Sequence, residues 1–192
     1  MKCKITRKII TMLVLTALSV QLIACGKEEG ELTGQAVQRN PSDYDSSEIY
    51  IDDEAIALAG EASTADSTQT ATFQEEATQA FNKVNELRAG AGLTALTWSA
   101  DLLSSTNVRA AEAAQLFSHT RPNGSDWWTV NSQLMYGENL ARGYSSAGSA
   151  VDAWMNSPTH KANIMNADFK TVAIAITLGT DGQWYWAQEF GY

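Results

Sequence analysis

The C-terminal end of the chain carries its clearest structural pattern, where residues 171–190 are TVAIAITLGTDGQWYWAQEF. Over 171–178, larger and smaller side chains alternate, and a period of two predicts a strand. We expect the larger side chains to lie in the core; they are Val172, Ile174, Ile176 and Leu178. We expect a helix to lie over the smaller ones, which are Ala173, Ala175 and Thr177. The loop over 179–182 (GTDG) predicts a hairpin, and the returning strand covers 183–190.

Helical spacing precedes this hairpin. A first helix is predicted over 73–91, where apolar residues recur every three or four positions. Thr72 and Glu75 fit a capping box at its start, and Gly90 and Gly92 are suited to end it. This helix therefore opens the ordered part of the chain.

Two further helices are predicted between the first helix and the hairpin. One starts near Ser99 and buries Leu102, Leu103, Thr106, Ala110, Ala113 and Phe117. The other covers 149–156 and stops before Pro158, because the residue that precedes a proline avoids the helical conformation. Three or four helices and a terminal hairpin predict one α+β domain over residues 73–192.

The N-terminus has the organisation of an export signal. Four basic residues precede an apolar run over 9–24, which is shorter than the roughly 20 residues of a membrane-spanning helix. The run ends at Cys25 in the sequence LIACG, which resembles a bacterial lipobox and implies cleavage before Cys25 and acylation of its thiol. We predict a signal peptide over 1–24 and an exported protein that acyl chains at Cys25 anchor to the membrane, with the domain on the extracytoplasmic side.

The segment that follows is strongly acidic. Residues 26–72 hold eleven acidic residues against Lys27 and Arg39, with little aromatic content. This composition predicts a disordered tether over 25–72 that starts at the lipidated cysteine. The whole chain carries a net charge of −9, which excludes recruitment to nucleic acid by charge. Cys3 falls within the signal peptide, so the predicted mature chain has no thiol for a disulfide or a cysteine-ligated metal.

The domain contains two histidines, His119 and His160, which are the candidates for general-base or metal chemistry. Each is predicted in a loop, one after the second helix and one after the third, and loops commonly display functional groups. Spacing alone leaves open whether the two rings meet. Each histidine taken alone is also compatible with a purely structural role.

Four stretches of the domain resemble, in order, the signatures of the CAP superfamily. They are residues 117–122 (FSHTRP), 137–141 (GENLA), 154–165 (WMNSPTHKANIM) and 186–191 (WAQEFG). The superfamily includes the cysteine-rich secretory proteins, antigen 5 and the plant pathogenesis-related 1 proteins, and the stretches are most similar to its bacterial branch. The resemblance covers nearly all of residues 73–192.

The resemblance implies a three-layer α-β-α sandwich with a central cleft lined by two histidines and one or two acids. His119, Glu138 and His160 match those positions, whereas the second acid of the eukaryotic pattern would fall near Asn156 or Ser157. Two imidazoles and a carboxylate can hold zinc or another divalent metal with an open fourth position, with His119 and His160 as ligands. The same trio without a metal can polarise a water molecule.

Three functions remain open at this point. The first is a binding module whose cleft holds a lipid, a cell-wall fragment or a peptide. The second is a hydrolase of peptide or envelope polymer that uses His119, Glu138 and His160 as catalytic residues, with or without a metal. The third is a structural surface protein with a vestigial cleft. The fold does not decide among them, but the missing second acid and the lack of a recognisable nucleophile favour binding.

Overall fold

The computed structural model describes residues 31–32, 37–38 and 67–192. Their strands and helices, in chain order, are β1 (Glu31–Leu32), β2 (Val37–Gln38), α1 (Ser67–Gly90), β3 (Thr97–Trp98), α2 (Ala100–Gln115), a 3-10 helix (Trp127–Val130), β4 (Gly137–Arg142), α3 (Ala147–Asn156), α4 (Pro158–Ile164), β5 (Thr171–Leu178) and β6 (Trp184–Gly191). None of the helices in these ranges is both long enough and apolar enough to cross a bilayer. The predicted signal peptide, Cys25 and most of the predicted tether lie outside the described residues.

The strands form one sheet in the order β1-β4-β6-β5-β3, and β2 also pairs with β4. β3 runs parallel to β5, and the other pairs are antiparallel. β5 and β6 form the predicted hairpin, with Leu178 opposite Trp184. Gly182 in the connecting turn has a φ of +77°, a conformation that glycine adopts without strain.

Helix α2 covers one face of the sheet. Ser99 caps its first turn, since its hydroxyl oxygen accepts a hydrogen bond from the Leu102 amide at 3.1 Å. Small side chains let the helix lie close to the strands, and the buried residues of this contact are Ala110, Ala113, Leu140, Ala175, Tyr185 and Ala187. The prediction that a helix lies over the small face of residues 171–178 is confirmed.

Helices α1, α3 and α4 cover the opposite face and complete the predicted α-β-α sandwich. Buried residues on this side include Ala80, Val84, Ala150, Val151, Trp154, Val172, Ile174, Trp186 and Phe190. Arg88 in the last turn of α1 is buried, and its Nη1 donates to the carbonyls of Ile164 at 2.7 Å and Asn166 at 2.8 Å. This contact fixes the end of α4. Leu178, expected in the core, is 41 % exposed because it ends β5 at the hairpin.

Two predicted features of the helices are wrong. α1 begins at Ser67, so Thr72 lies inside the helix, where its hydroxyl donates to the Thr68 carbonyl at 3.0 Å. The predicted capping box of Thr72 and Glu75 therefore does not form, and the ordered domain starts before residue 73. α2 ends before Phe117, which is half-buried in the following loop and packs edge-on against a tyrosine ring of β6.

Two elements beside the candidate site were not predicted. β4 has the sequence GENLAR, and Gly, Glu and Asn are depleted in strands. The segment forms a strand because it pairs with β6, and its own propensity does not favour one. α4 begins at Pro158 directly after α3, since proline is favoured in the first turn of a helix. The prediction that His160 lies in a loop is therefore wrong, because the residue belongs to α4.

The prediction of a continuous disordered tether over 25–72 is wrong where the structure describes that segment. β1 and β2 pair with β4, and residues 67–72 belong to α1. Such an acidic segment cannot bury a core of its own. Residues 31–32 and 37–38 pair instead with the edge of a sheet that the rest of the domain holds in place.

Candidate binding cleft

Glu138 of β4 lies at the centre of the candidate site, and its side chain is fully buried. The Arg109 guanidinium of α2 holds both carboxylate oxygens: Nε donates to Oε2 at 2.7 Å and Nη2 donates to Oε1 at 3.1 Å. Burial alone would raise the pKa of Glu138, but the charge of Arg109 and hydrogen bonds from His119 and Arg109 lower it to about 2. Glu138 is therefore an ionised carboxylate at neutral pH.

Arg109 joins three segments around this carboxylate. Its Nη1 donates to Oε2 of Glu112, one turn along α2, at 2.6 Å, and its Nη2 donates to the Ser118 carbonyl at 2.8 Å. Oε1 of Glu112 in turn accepts a hydrogen bond from Nε of Arg121 at 2.9 Å. The two guanidinium groups and the carboxylates of Glu112 and Glu138 are all buried, so each charge is compensated by a neighbour of opposite sign.

His119 is the most exposed member of the predicted trio, with 17 % of its side chain accessible. It lies in the loop after α2, as predicted, and the bond from Arg109 to Ser118 holds that loop against the helix. Nδ1 of His119 is 2.6 Å from Oε1 of Glu138. The carboxylate therefore orients the ring and places the proton of the neutral imidazole on Nδ1, which makes Nε2 its acceptor nitrogen.

His160 lies in α4 and is fully buried. Its Nδ1 is 2.7 Å from the hydroxyl of Ser157, the N-cap residue of α4, and its carbonyl accepts a hydrogen bond from Nδ2 of Asn139 at 3.2 Å. Burial, together with the electrostatic effect of His119, lowers the pKa of His160 to about 4, so the His160 ring is neutral at pH 7. The structure thus brings His119 and Glu138 into direct contact and places His160 beside the residue that follows Glu138.

Buried amides tie α4 to the sheet at this site. Nδ2 of Asn163 in α4 donates to the Glu138 carbonyl at 3.1 Å and to Oδ1 of Asn139 at 2.9 Å. Nδ2 of Asn139 also donates to Oε1 of Gln188 in β6 at 3.0 Å. Because an unpaired amide in a core is costly, these bonds fix the position of α4, and with it His160, relative to β4.

Glu189 of β6 is a second buried carboxyl group at the site. It is the cross-strand partner of Glu138, and it is fully buried. Burial, together with the negative charge of Glu138, raises the pKa of Glu189 well above its usual range. With Glu189 protonated, the charges of Arg109 and Arg121 balance those of Glu138 and Glu112, whereas its ionisation would add an uncompensated buried charge.

A family model described as "CAP: Cysteine-rich secretory protein family" matches residues 81–190. This chain belongs to the CAP family. The match runs from within α1 to β6 and includes His119, Glu138 and His160. The resemblance drawn from the four sequence signatures is therefore confirmed.

Individual relatives agree with this assignment. The CAP chain is 29 % identical over 139 residues to the "Uncharacterized protein YkwD" of Bacillus subtilis (strain 168), and the match covers 66 % of this chain and 53 % of YkwD. The chain therefore spans about half the length of that relative.

Two solved structures share the CAP fold. An outer surface protein from Borrelia burgdorferi superposes with a TM-score of 0.54 at 23 % identity, over 61 % of this chain and 92 % of that one. An extracellular protein containing a SCP domain from Bacillus anthracis str. Ames superposes with a TM-score of 0.52 at 22 % identity, over 60 % and 40 % of the two chains. These likenesses confirm the predicted fold.

Sequence reasoning missed two groups of the CAP site. Arg109 and Glu112 are three positions apart on α2, a spacing at which side chains meet, but the bond from Arg109 to Glu138 depends on β4, which was not predicted. Glu189 did carry a signal, because the alternation along β6 puts it on the same face as Ala187, which packs against α2.

The predicted metal at His119, His160 and Glu138 does not fit this arrangement of the CAP site. Arg109 donates to both Glu138 oxygens, and Nδ1 of His119 lies 2.6 Å from Oε1, so this histidine nitrogen and the carboxylate face each other rather than a shared ion. Across residues 31–32, 37–38 and 67–192, no three His, Cys, Asp or Glu side chains are grouped as they would be around a metal. Zinc stays a prediction from the sequence that this geometry does not favour.

Replacement of Glu189 by glutamine should remove a pH dependence of stability. The folded chain keeps the Glu189 proton above pH 4.5, where an unfolded glutamate loses it, so the free energy of unfolding of the wild type falls as the pH rises from that value towards neutrality. Because glutamine does not ionise, Glu189→Gln should lack this fall and should gain stability relative to the wild type between pH 4 and pH 7. Urea unfolding at a series of pH values measures the free energy of unfolding of both proteins.

Glu75→Gln, at an exposed position of α1, is the matched control and should keep the wild-type pH profile. Identical pH profiles for Glu189→Gln and the wild type would contradict the buried, protonated state of Glu189.

Proposed function

We propose that this chain is an extracytoplasmic, membrane-anchored CAP lipoprotein that binds a peptide-bearing polymer of the cell envelope in the cleft lined by His119, Glu138 and His160. One observation carries the proposal: both oxygens of the Glu138 carboxylate are held by Arg109, while His119 is fixed over it at the surface. Such a site presents the His119 imidazole to a polar ligand in a fixed position.

The chemistry of the site favours a peptide over a lipid. Its accessible group is the His119 imidazole, which can pair with the N–H or C=O groups of a peptide stem, whereas Glu138 and the amides of the site are buried and bonded to one another. A lipid needs a contiguous apolar surface. In the part of the chain that the structure describes, the strongly exposed large apolar side chains are Leu116, Leu178 and Tyr192, and each belongs to a different segment.

A hydrolase is the second candidate, and the contact between His119 and Glu138 favours it. A carboxylate at Nδ1 of a histidine is the arrangement that orients a general base. Two pKa values weigh against catalysis. Arg109 lowers the pKa of Glu138 to about 2, and its positive charge offsets the stabilisation that this carboxylate could give to a protonated His119. Burial lowers the pKa of His160 to about 4, which makes the ring a weak base. Binding therefore accounts for the site better than hydrolysis.

Export and anchoring are supported by the N-terminal sequence and by the relatives. The basic start, the apolar run over 9–24 and the lipobox-like LIACG ending in Cys25-Gly26 have the order of a lipoprotein signal. The two solved relatives are described as an outer surface protein and an extracellular protein. Acyl chains at Cys25 would hold the domain at the extracytoplasmic face of the membrane.

The binding role predicts that His119→Gln weakens a peptide ligand without unfolding the chain. The test is an NMR titration of the ¹⁵N-labelled full chain, carrying Cys25→Ser, with soluble muropeptides as the probe. We expect shifts at the amides of residues 118–120 and 137–139, and an affinity at least about tenfold lower in His119→Gln, because one hydrogen bond to the ligand is lost. Gln133→Ala, at an exposed loop position, should bind as the wild type does.

Each other result of this titration would overturn the binding role. Equal affinity in His119→Gln and the wild type would show that the cleft does not hold the peptide. Shifts with lipid vesicles but none with muropeptides would identify a lipid ligand, and no shift with either would leave a structural surface protein. Muropeptides that the wild type shortens and His119→Gln leaves intact, measured by mass spectrometry, would establish the hydrolase instead.

The anchoring role predicts that Cys25→Ser releases the chain from the membrane. Without the thiol no acyl chain can be attached, so the protein should move from the detergent phase to the aqueous phase of a Triton X-114 partition of bacterial cells that express it. Cys3→Ser changes the other cysteine of the chain and should leave the partition unchanged. Retention of Cys25→Ser in the detergent phase would refute acylation at this residue.

A further inference from the structure

The outer edge of β4 is occupied by the chain's own N-terminal segment. β1 pairs antiparallel with the end of β4, with Leu32 opposite Ala141, and β2 pairs antiparallel with its start, with Val37 opposite Glu138. The inner edge of β4 pairs with β6 along its whole length. Backbone pairing on the outer edge is therefore the way in which this segment joins the domain.

The two ladders are not in one register. Four residues, 33–36, separate Leu32 from Val37, whereas only two residues of β4, Asn139 and Leu140, separate their partners. The ladder of β1 therefore cannot continue into the ladder of β2 in a single register. An extended strand without the extra residues could pair with all six residues of β4 in one continuous ladder.

This edge adjoins the cleft. Val37 is opposite Glu138, whose carboxylate contacts His119. β2 also lies against α4, the helix that carries His160. An extended chain on the outer edge of β4 therefore passes directly beside the residues to which the binding role is assigned.

We propose that the outer edge of β4 is a docking site for an extended peptide, and that β1 and β2 occupy it as an intramolecular stand-in that the peptide displaces. The peptide adds a strand to the sheet, so its backbone N–H and C=O groups supply the affinity. This inference rests on the binding role, because the displaced edge belongs to the same cleft.

The occupant is suited to displacement by its length and its composition. Each of its ladders is two residues long, well below the roughly five or six residues of an ordinary strand. Because each backbone hydrogen bond contributes only about 1 kcal/mol net, these short ladders open far more readily than the core. The acidic segment around the ladders has too few apolar residues to add a core of its own.

Proline substitutions in β2 test whether this segment competes with a peptide. Only one of two consecutive strand residues directs its N–H at the partner strand, so Val37→Pro and Gln38→Pro are made separately in the full chain. Val37→Ala and Gln38→Ala keep the N–H groups and serve as matched controls. Hydrogen exchange at the β4 amides should rise in one proline variant, which reports release of the segment, and not in the alanine variants.

The probe is a fluorescein-labelled peptide of residues 29–40, which carries the sequence of the stand-in itself. Its binding is followed by fluorescence anisotropy. Only molecules in which the edge of β4 is open can bind the peptide, so the apparent affinity is the intrinsic affinity multiplied by the open fraction. We therefore expect the releasing proline variant to bind the peptide at least about tenfold more tightly than the wild type and the alanine controls. Equal affinity in the released variant and the wild type would overturn the proposal.

A disulfide lock provides the opposite change in case the prolines disturb folding. Glu31 and Arg142 are opposed across the ladder, so Glu31→Cys with Arg142→Cys, in a Cys3→Ser and Cys25→Ser background, should close a bridge on oxidation. The oxidised chain should lose peptide binding and the reduced chain should regain it. Binding that is the same in both states would show that the peptide does not use this edge.

The two proposals fail in different ways. If the cleft is not a binding site, muropeptide affinity stays the same in His119→Gln, whatever the state of β2. If the edge is not a docking site, affinity for the 29–40 peptide stays the same after release or locking of the segment, while the effect of His119→Gln on muropeptides remains.

Discussion

The buried ion pair between Arg109 and Glu138 is the contact on which the rest of the site depends. A carboxylate inside a protein is tolerated only when a positive group and hydrogen bonds replace its water. Arg109 supplies both, and it also bonds to Glu112 and the Ser118 carbonyl, so one guanidinium connects α2, β4 and the loop before His119. The helix layer on this face and the edge strand of the sheet are thereby held in one relative position.

The state of the neighbouring groups follows from this pair. Ionised Glu138 orients the His119 ring, and burial together with the charge of Glu138 raises the pKa of Glu189, its cross-strand partner, and keeps it protonated. His160 is held neutral by burial beside them. These fixed charges underlie our proposal that the site recognises a polar ligand rather than transfers protons. The outer edge of β4 adjoins the same site, because Val37 of β2 lies opposite Glu138, and our second proposal assigns this edge to an incoming peptide strand.

Sequence patterns predicted those elements whose local preference agrees with the fold. The hairpin over 171–190 and the small face of its first strand were predicted because alternation there is strict and the turn contains two glycines. β4 was missed because GENLAR is a poor strand sequence that long-range pairing makes into one. His119, Glu138 and His160 were found through family signatures, whereas the contacts of Arg109 and Glu189 with Glu138 join distant segments and depend on the position of β4.

The account depends most directly on Glu138 being ionised by Arg109 inside the fold. A titration of the side-chain carboxyl ¹³C resonances of the glutamates, in the wild type and in Glu138→Gln, measures this state. We predict one resonance that stays at the ionised position from pH 7 down to about pH 3 and that is missing in Glu138→Gln, because the pKa of Glu138 is about 2. A Glu138 resonance that titrates at or above the ordinary glutamate value of 4.5 would contradict the account.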